Sequence, residues 1–191
     1  KINSTILVID ITNEAEVKNG AKNLFNKFKK IDCLINNAAN NPKMEEFKEL
    51  NFSRLEKFDK SLWDNDINVA LTGSFLCVKY FGTLISKNKN GGSIINISSD
   101  LGLIAPDQRI YEKKHLKNKD QAVKPITYSV AKAGIIGLTK YISTYWADKN
   151  VRCNVLCPGG VKTNQDKEFI KKISKRIPLG RMAKKNEYQS T

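Results

Sequence analysis

Four short apolar runs dominate the chain: Thr5 to Ile9, Asp32 to Ile35, Ser93 to Ile97 and Val151 to Cys157. Each has the length and composition of a buried strand, and stretches of helical periodicity separate them. Val17, Ala21, Leu24, Phe25 and Phe28 make one helix face behind Thr12 or Asn13 as N-cap. A longer helical region runs from about Ser61 to Ser86, and another, from Ser129 to Trp146, is apolar on most sides and so largely buried. Strand and helix in alternation predict an α/β fold, a parallel sheet with helices on both faces. With 191 residues, one domain with one core accounts for the length.

Ligands of such sheets bind outside the carboxyl ends of the strands. Here those ends read Asp10-Ile11-Thr12, Asn36-Asn37-Ala38-Ala39, Ser98-Ser99-Asp100 and Pro158-Gly159-Gly160-Val161-Lys162-Thr163. Small or hydrogen-bonding side chains at every exit suit a bound polar ligand better than plain turns.

Tyr128 and Lys132 stand one helical turn apart at the start of an apolar helix. A phenol titrates near about pH 10 in water, and a neighbouring cation favours the phenolate, so the pair reads as a proton-transfer site. Tyr145 and Lys149 repeat the spacing at the far end of the same helix. There an amphipathic aromatic and a lysine that complements the helix dipole are the simpler account.

Composition narrows the classes. No apolar run approaches the roughly twenty residues of a membrane span, and no charged-then-apolar leader opens the chain, so a cytoplasmic protein is expected. Cys33, Cys77, Cys153 and Cys157 fall on predicted strands or helix with His115 as the sole histidine, which favours reduced core thiols over a metal site. The formal charge of +14 is compatible with nucleic acid or an anionic substrate. Lysines are spread along unremarkable helix faces without interleaved aromatics, which argues against nucleic acid.

In this order the blocks resemble the short-chain dehydrogenase/reductase family over nearly the whole chain. The carriers are Asp10-Ile11-Thr12, Asn36-Asn37-Ala38-Ala39, Asn68-Val69-Ala70-Leu71-Thr72-Gly73 and Ile97-Ser98-Ser99. Tyr128-Ser129-Val130-Ala131-Lys132-Ala133-Gly134 and Pro158-Gly159 with Thr163 complete them. The resemblance implies a Rossmann-like three-layer sandwich, NAD or NADP as cofactor, and hydride transfer to or from a carbon bearing a hydroxyl or carbonyl. It implies Tyr128 as acid and base, and Lys132 as its partner and a ligand of the nicotinamide ribose. Ser99, three residues before Gly102, would orient the substrate oxygen, and Asn68 would hold a relay water. Asp10 with Ile11 would meet the adenine end, Asn36 and Ala38 the ribose region, and Pro158, Gly159, Val161 and Thr163 the nicotinamide. No metal is implied, and a homo-oligomer built on the two long helices is.

The pattern also departs from the family. Its Thr-Gly-x-x-x-Gly-x-Gly phosphate loop is not in the chain, so an internal fragment is expected, with the first two strands and the last strand of the family missing and weak dinucleotide binding on its own. The missing strands would lie beside Thr5 to Ile9, which should lose its partners. Ala39 replaces a more usual glycine. Between Ser99 and Tyr128, residues 105–125 form a charged insertion with Arg109, Lys113, Lys114, His115, Lys117, Lys119 and Lys124. It reads either as a solvated loop or as a lid over the substrate side that draws in an anionic substrate. Ala105 to Tyr111, Lys124 to Ser129 and Gly160 to Asp166 are similar to bacterial oxidoreductases of flagellin-modification and surface-polysaccharide clusters, which implies an amino sugar, sugar phosphate or nucleotide sugar. The alternatives are a 3-oxoacyl-thioester reductase and a catalytically silent fragment acting only by assembly.

Overall fold

A computed structural model describes residues 4–40 and 50–189. Strands β1 (Cys33–Asn36), β2 (Gly92–Ile97) and β3 (Val151–Leu156) form a parallel sheet in the order β1-β2-β3. The register sets Asn96 beside both Asn36 and Val155, so the polar strand exits lie side by side along one sheet edge.

Helix α1 (Glu14–Phe28) starts where Asn13 accepts hydrogen bonds from the amides of Ala15 and Glu16, and it ends at Lys29 in the left-handed region. Helix α2 (Lys60–Ile85) starts at Asp59, whose side chain accepts from Ser61. It widens into π turns at Asn68–Thr72 and Val78–Gly82. Helix α3 (Ile126–Tyr145) starts sooner than Ser129, directly behind Pro125, and α4 (Lys167–Ser174) is capped by Asp166.

The Rossmann-like α/β fold with a parallel sheet is as expected, and among the described residues the helices pack on one face of the sheet. Ile94 on β2 and Val151 and Cys153 on β3 pack against Val78 and Ile85 of α2 and Ile142 of α3, all on one face. On the other face Cys33, Ile35, Arg152 and Asn154 are exposed. The reason is topological. Successive right-handed crossovers that step the same way across a sheet place their helices on the same side. Val17 and Ala21 of α1 join Leu76, Cys77 and Phe81 of α2 in a second cluster, linked to the first through Ile31 and Leu34. Burying a side chain such as Ile85 or Ile94 contributes about 1.5–3 kcal/mol.

Thr5 to Ile9 is not a strand. Its side chains alternate, with Leu7 and Ile9 against Gly20 of α1 and Ile6 and Val8 turned to solvent, but it has no ladder partner among the described residues. An extended segment becomes a strand only when its backbone groups are paired. The expectation of four core thiols is also corrected. Cys77 and Cys153 are buried and Cys157 partly so, while Cys33 lies exposed on the open face of the sheet.

Helix α2 is long and apolar enough to cross a membrane by length and composition alone. Its apolar residues Leu76, Cys77, Val78, Phe81 and Ile85 are instead buried in the two clusters, as in the core helix of a globular fold.

Candidate functional site

The exit of β2 is locked to α3. Ser98 Oγ donates to the Lys132 carbonyl at 2.7 Å, and the Lys132 ammonium donates to the carbonyl of Ile97 at 2.9 Å. Asp100 ties that exit to the next, its amide donating to the Pro158 carbonyl at 3.1 Å. Lys132 is buried, which disfavours its charged form, and the neighbouring Cys157 partly offsets this.

Tyr128 and Lys132 are brought together as the spacing predicts, the ammonium 5.8 Å from the ring centroid. Both face a cavity of about 330 Å³ whose walls include Ala70, Ile110, Tyr111, Val123, Lys124 and Phe169. Among the described residues the Tyr128 hydroxyl has no hydrogen-bond partner, which leaves it free for a ligand. Tyr111, the other phenol of the cavity, is pushed up to about 12 by burial and stays protonated. It packs on Phe169 of α4 at 5.6 Å between centroids.

Of residues 105–125, Arg109, Lys113, Lys114, His115, Lys117 and Lys119 are exposed, while other parts of the segment are tied down. Gln121 is buried and bonds the amide and carbonyl of Lys113 and the carbonyl of Leu116. Asp107 holds Arg109 of the same segment and Arg176 beyond α4, and Lys172 of α4 donates to the Glu112 carbonyl. Val123 donates to Ser53 and Arg54 to the Asn118 carbonyl. The segment is thus a wall of the cavity, and it sets the Lys124 ammonium on the Tyr128 ring, 3.6 Å from the centroid. Burial draws the Lys124 ammonium down to about 8. His115 is exposed, as expected.

The other predicted positions lie outside this cavity. Ser99 is buried, but its hydroxyl donates to Asp100 and accepts from the Leu101 amide. Asn68 is exposed at the first π turn, in an open hollow with Trp63 and Thr72. Asp10 accepts from the amide and hydroxyl of Thr12, which hold its carboxylate below its usual range, and Ile11 packs on Gly73. Asn36 donates to Asn96, which donates to Thr139 in a buried chain, so its amide is engaged in the core. Ala38 and Gly159 are exposed, and Pro158 is partly so. Val161 bridges to Ala183 and accepts from Gln165, which also receives the Thr163 amide.

A dinucleotide fits the nicotinamide half of this edge. Ala38 and Gly159 leave the strand exits free of bulk, and Lys132 has ammonium protons beyond the one given to Ile97. Sequence reasoning missed Asp66, Tyr111, Phe169 and Lys172 as cavity residues. Asp66 accepts from Thr127 at 2.6 Å and so fixes α2 beside the start of α3, a contact that no local pattern announces. Tyr145 and Lys149 play no part, Tyr145 stacking on Tyr141 at the surface and Lys149 pairing with Asp148.

The family described as Enoyl-(Acyl carrier protein) reductase matches residues 1–191. A 3-oxoacyl-[acyl-carrier-protein] reductase of Synechocystis sp. is 32% identical over 183 residues, covering 95% of this chain and 64% of that protein. The 3-oxoacyl-[acyl-carrier-protein] reductase FabG of Thermotoga maritima is 30% identical, covering 94% of this chain and 64% of its own. Among solved structures, a short chain dehydrogenase from Leptospira borgpetersenii with bound NAD+ superposes with a TM-score of 0.73 at 31% identity, covering 92% of this chain and 61% of that one. The chain therefore spans less than two thirds of the length of these relatives. It belongs to the short-chain dehydrogenase/reductase family.

Proposed function

We propose that the protein carrying this chain is an NAD- or NADP-dependent oxidoreductase that interconverts a hydroxyl and a carbonyl on a small substrate. The observation that carries the reading is the Tyr128 phenol, facing a walled cavity with Lys132 behind it and no protein partner for its hydroxyl among the described residues. Bound at the strand exits, the nicotinamide would supply or accept the hydride. Tyr128 gives a proton to the carbonyl oxygen in one direction and takes it from the hydroxyl in the other. Lys132, anchored on Ile97, orients the nicotinamide ribose and keeps positive charge by the phenol. Ser99 would have to turn from Asp100 to reach the substrate oxygen, and Asn68 would act through water.

For the substrate we favour an amino sugar, sugar phosphate or nucleotide sugar of surface-glycan or flagellin modification. Support comes from residues 105–125, which wall the cavity and bring lysines to it. A 3-oxoacyl thioester is the second reading, favoured by the named reductases of Synechocystis and Thermotoga. A cytoplasmic dimer or tetramer belongs to this proposal. The exposed Phe75, Val130, Tyr141 and Tyr145 on α2 and α3 support the assembly. The test is nicotinamide absorbance with the complete protein, both cofactors, sugar phosphates, nucleotide sugars and a 3-oxoacyl thioester. Turnover of a sugar substrate supports the first reading, preference for the thioester supports the second, and turnover of none contradicts both.

A further inference from the structure

A cation on a cavity wall that no protein group neutralises is open to a ligand anion. Lys124 is such a group. Among the described residues its Nζ makes no hydrogen bond or ion pair, and its close contact is the face of Tyr128 at 3.6 Å. The side chain is held in place from behind. Its amide donates to Gln108 Oε1 at 2.8 Å, Val123 before it is bonded to Ser53, and Pro125 after it opens α3.

The other charges of the cavity are engaged except Glu112 and Lys113, which are exposed. Lys132 donates to Ile97, and Lys172 donates to the Glu112 carbonyl and pairs with Glu168. Asp66 accepts from Thr127, and Asp166 caps α4. Asp100, the acid whose field reaches Lys124, already accepts from Ser99 and from the Leu101 amide. The lining of the cavity includes the apolar Ile110, Ala122, Val123 and Phe169. A cavity of about 330 Å³ with this lining suits a compact molecule that carries an anion at one point.

We infer that Lys124 is the specificity-determining residue of this cavity, binding a carboxylate or phosphate group of the substrate beside the Tyr128 phenol. The inference takes the cavity as the substrate site proposed above. An anion seated there takes the place of solvent on the ammonium and holds the adjacent carbon near Tyr128, and a neutral substrate leaves the ammonium to water.

The test is calorimetric titration of the complete protein with sodium phosphate and with sodium acetate at matched ionic strength, in the wild type and in the Lys124→Gln, Lys124→Arg and Tyr128→Phe variants. Saturable binding of one anion is expected in the wild type, kept by Lys124→Arg and weakened at least about tenfold by Lys124→Gln. Tighter phosphate assigns a phosphorylated substrate, and tighter acetate assigns a carboxylate. Tyr128→Phe keeps the ring under the ammonium and should bind the anion as the wild type does. Normal turnover by Tyr128→Phe would end the oxidoreductase role of that phenol without touching the anion result. Unchanged binding in Lys124→Gln, or no saturable binding of either anion by the wild type, overturns the inference.

Discussion

A β-carbon on Gly102 would come within 2.8 Å of the Lys132 carbonyl carbon and within 2.8 Å of Ser98 Oγ. The turn that follows β2 therefore lies directly against the main chain of the helix that carries Tyr128 and Lys132. Ser98 closes the contact with its hydrogen bond to the Lys132 carbonyl. The Ser98-Ser99-Asp100-Leu101-Gly102 block is in this sense an anchor for the Tyr128 helix.

Gly102→Ala should accordingly destabilise the protein by about 1–3 kcal/mol, because backbone rather than a flexible side-chain tip must move. Gly137→Ala is the control, since a β-carbon there meets nothing within 4 Å inside α3. It should stabilise by about 0.4–1 kcal/mol. Denaturant unfolding of both variants checks the pair.

Asp107→Asn should loosen residues 105–125. Asp107 holds Arg109 and Arg176 together, and their guanidinium groups keep its carboxyl well below the usual carboxylate range. A depressed carboxylate contributes stability that is present above its unfolded value of 3.8 and is lost as pH falls below it. Hydrogen exchange at neutral pH should show faster amide exchange over 108–111 in the variant, with β2 unchanged. Equal protection of 108–111 in both proteins would contradict the anchoring role.

Lys124 predicts a rise of stability with pH. Its folded value of about 8 lies below the unfolded 10.5, so between these values the unfolded chain binds the extra proton and folding gains as pH increases. The gain is at most about 1.4 kcal/mol per pH unit in that window. Lys124→Met removes it, so the stability difference, wild type minus variant, should climb from pH about 8 to 10.5. Denaturant midpoints across that range check the sign.

Much of this was legible in the sequence. The three paired strands, the Asn13 cap and the Tyr128/Lys132 pair follow from apolar runs, capping chemistry and helical spacing, all local signals. Thr5 to Ile9 has strand composition, but pairing depends on neighbours that composition does not contain. The one-sided packing of α1, α2 and α3 follows from strand order, which periodicity does not reveal. The charge pattern left residues 105–125 open between loop and lid, and the contacts that hold the segment are long-range: Asp107 to Arg176, Lys172 to Glu112, Tyr111 to Phe169. Neither the tie of Ser98 to Lys132 nor the turn of Ser99 toward Asp100 was foreseeable from spacing.

The most direct measurement is turnover of the complete protein with Tyr128 and with Phe at that position, together with the affinity of each for the nicotinamide cofactor. The phenol oxygen is the atom assigned to the proton, and the ring alone supports Lys124. Turnover should fall by at least about a hundredfold while cofactor affinity stays within about twofold. A Tyr128→Phe protein that turns over like the wild type would contradict the account.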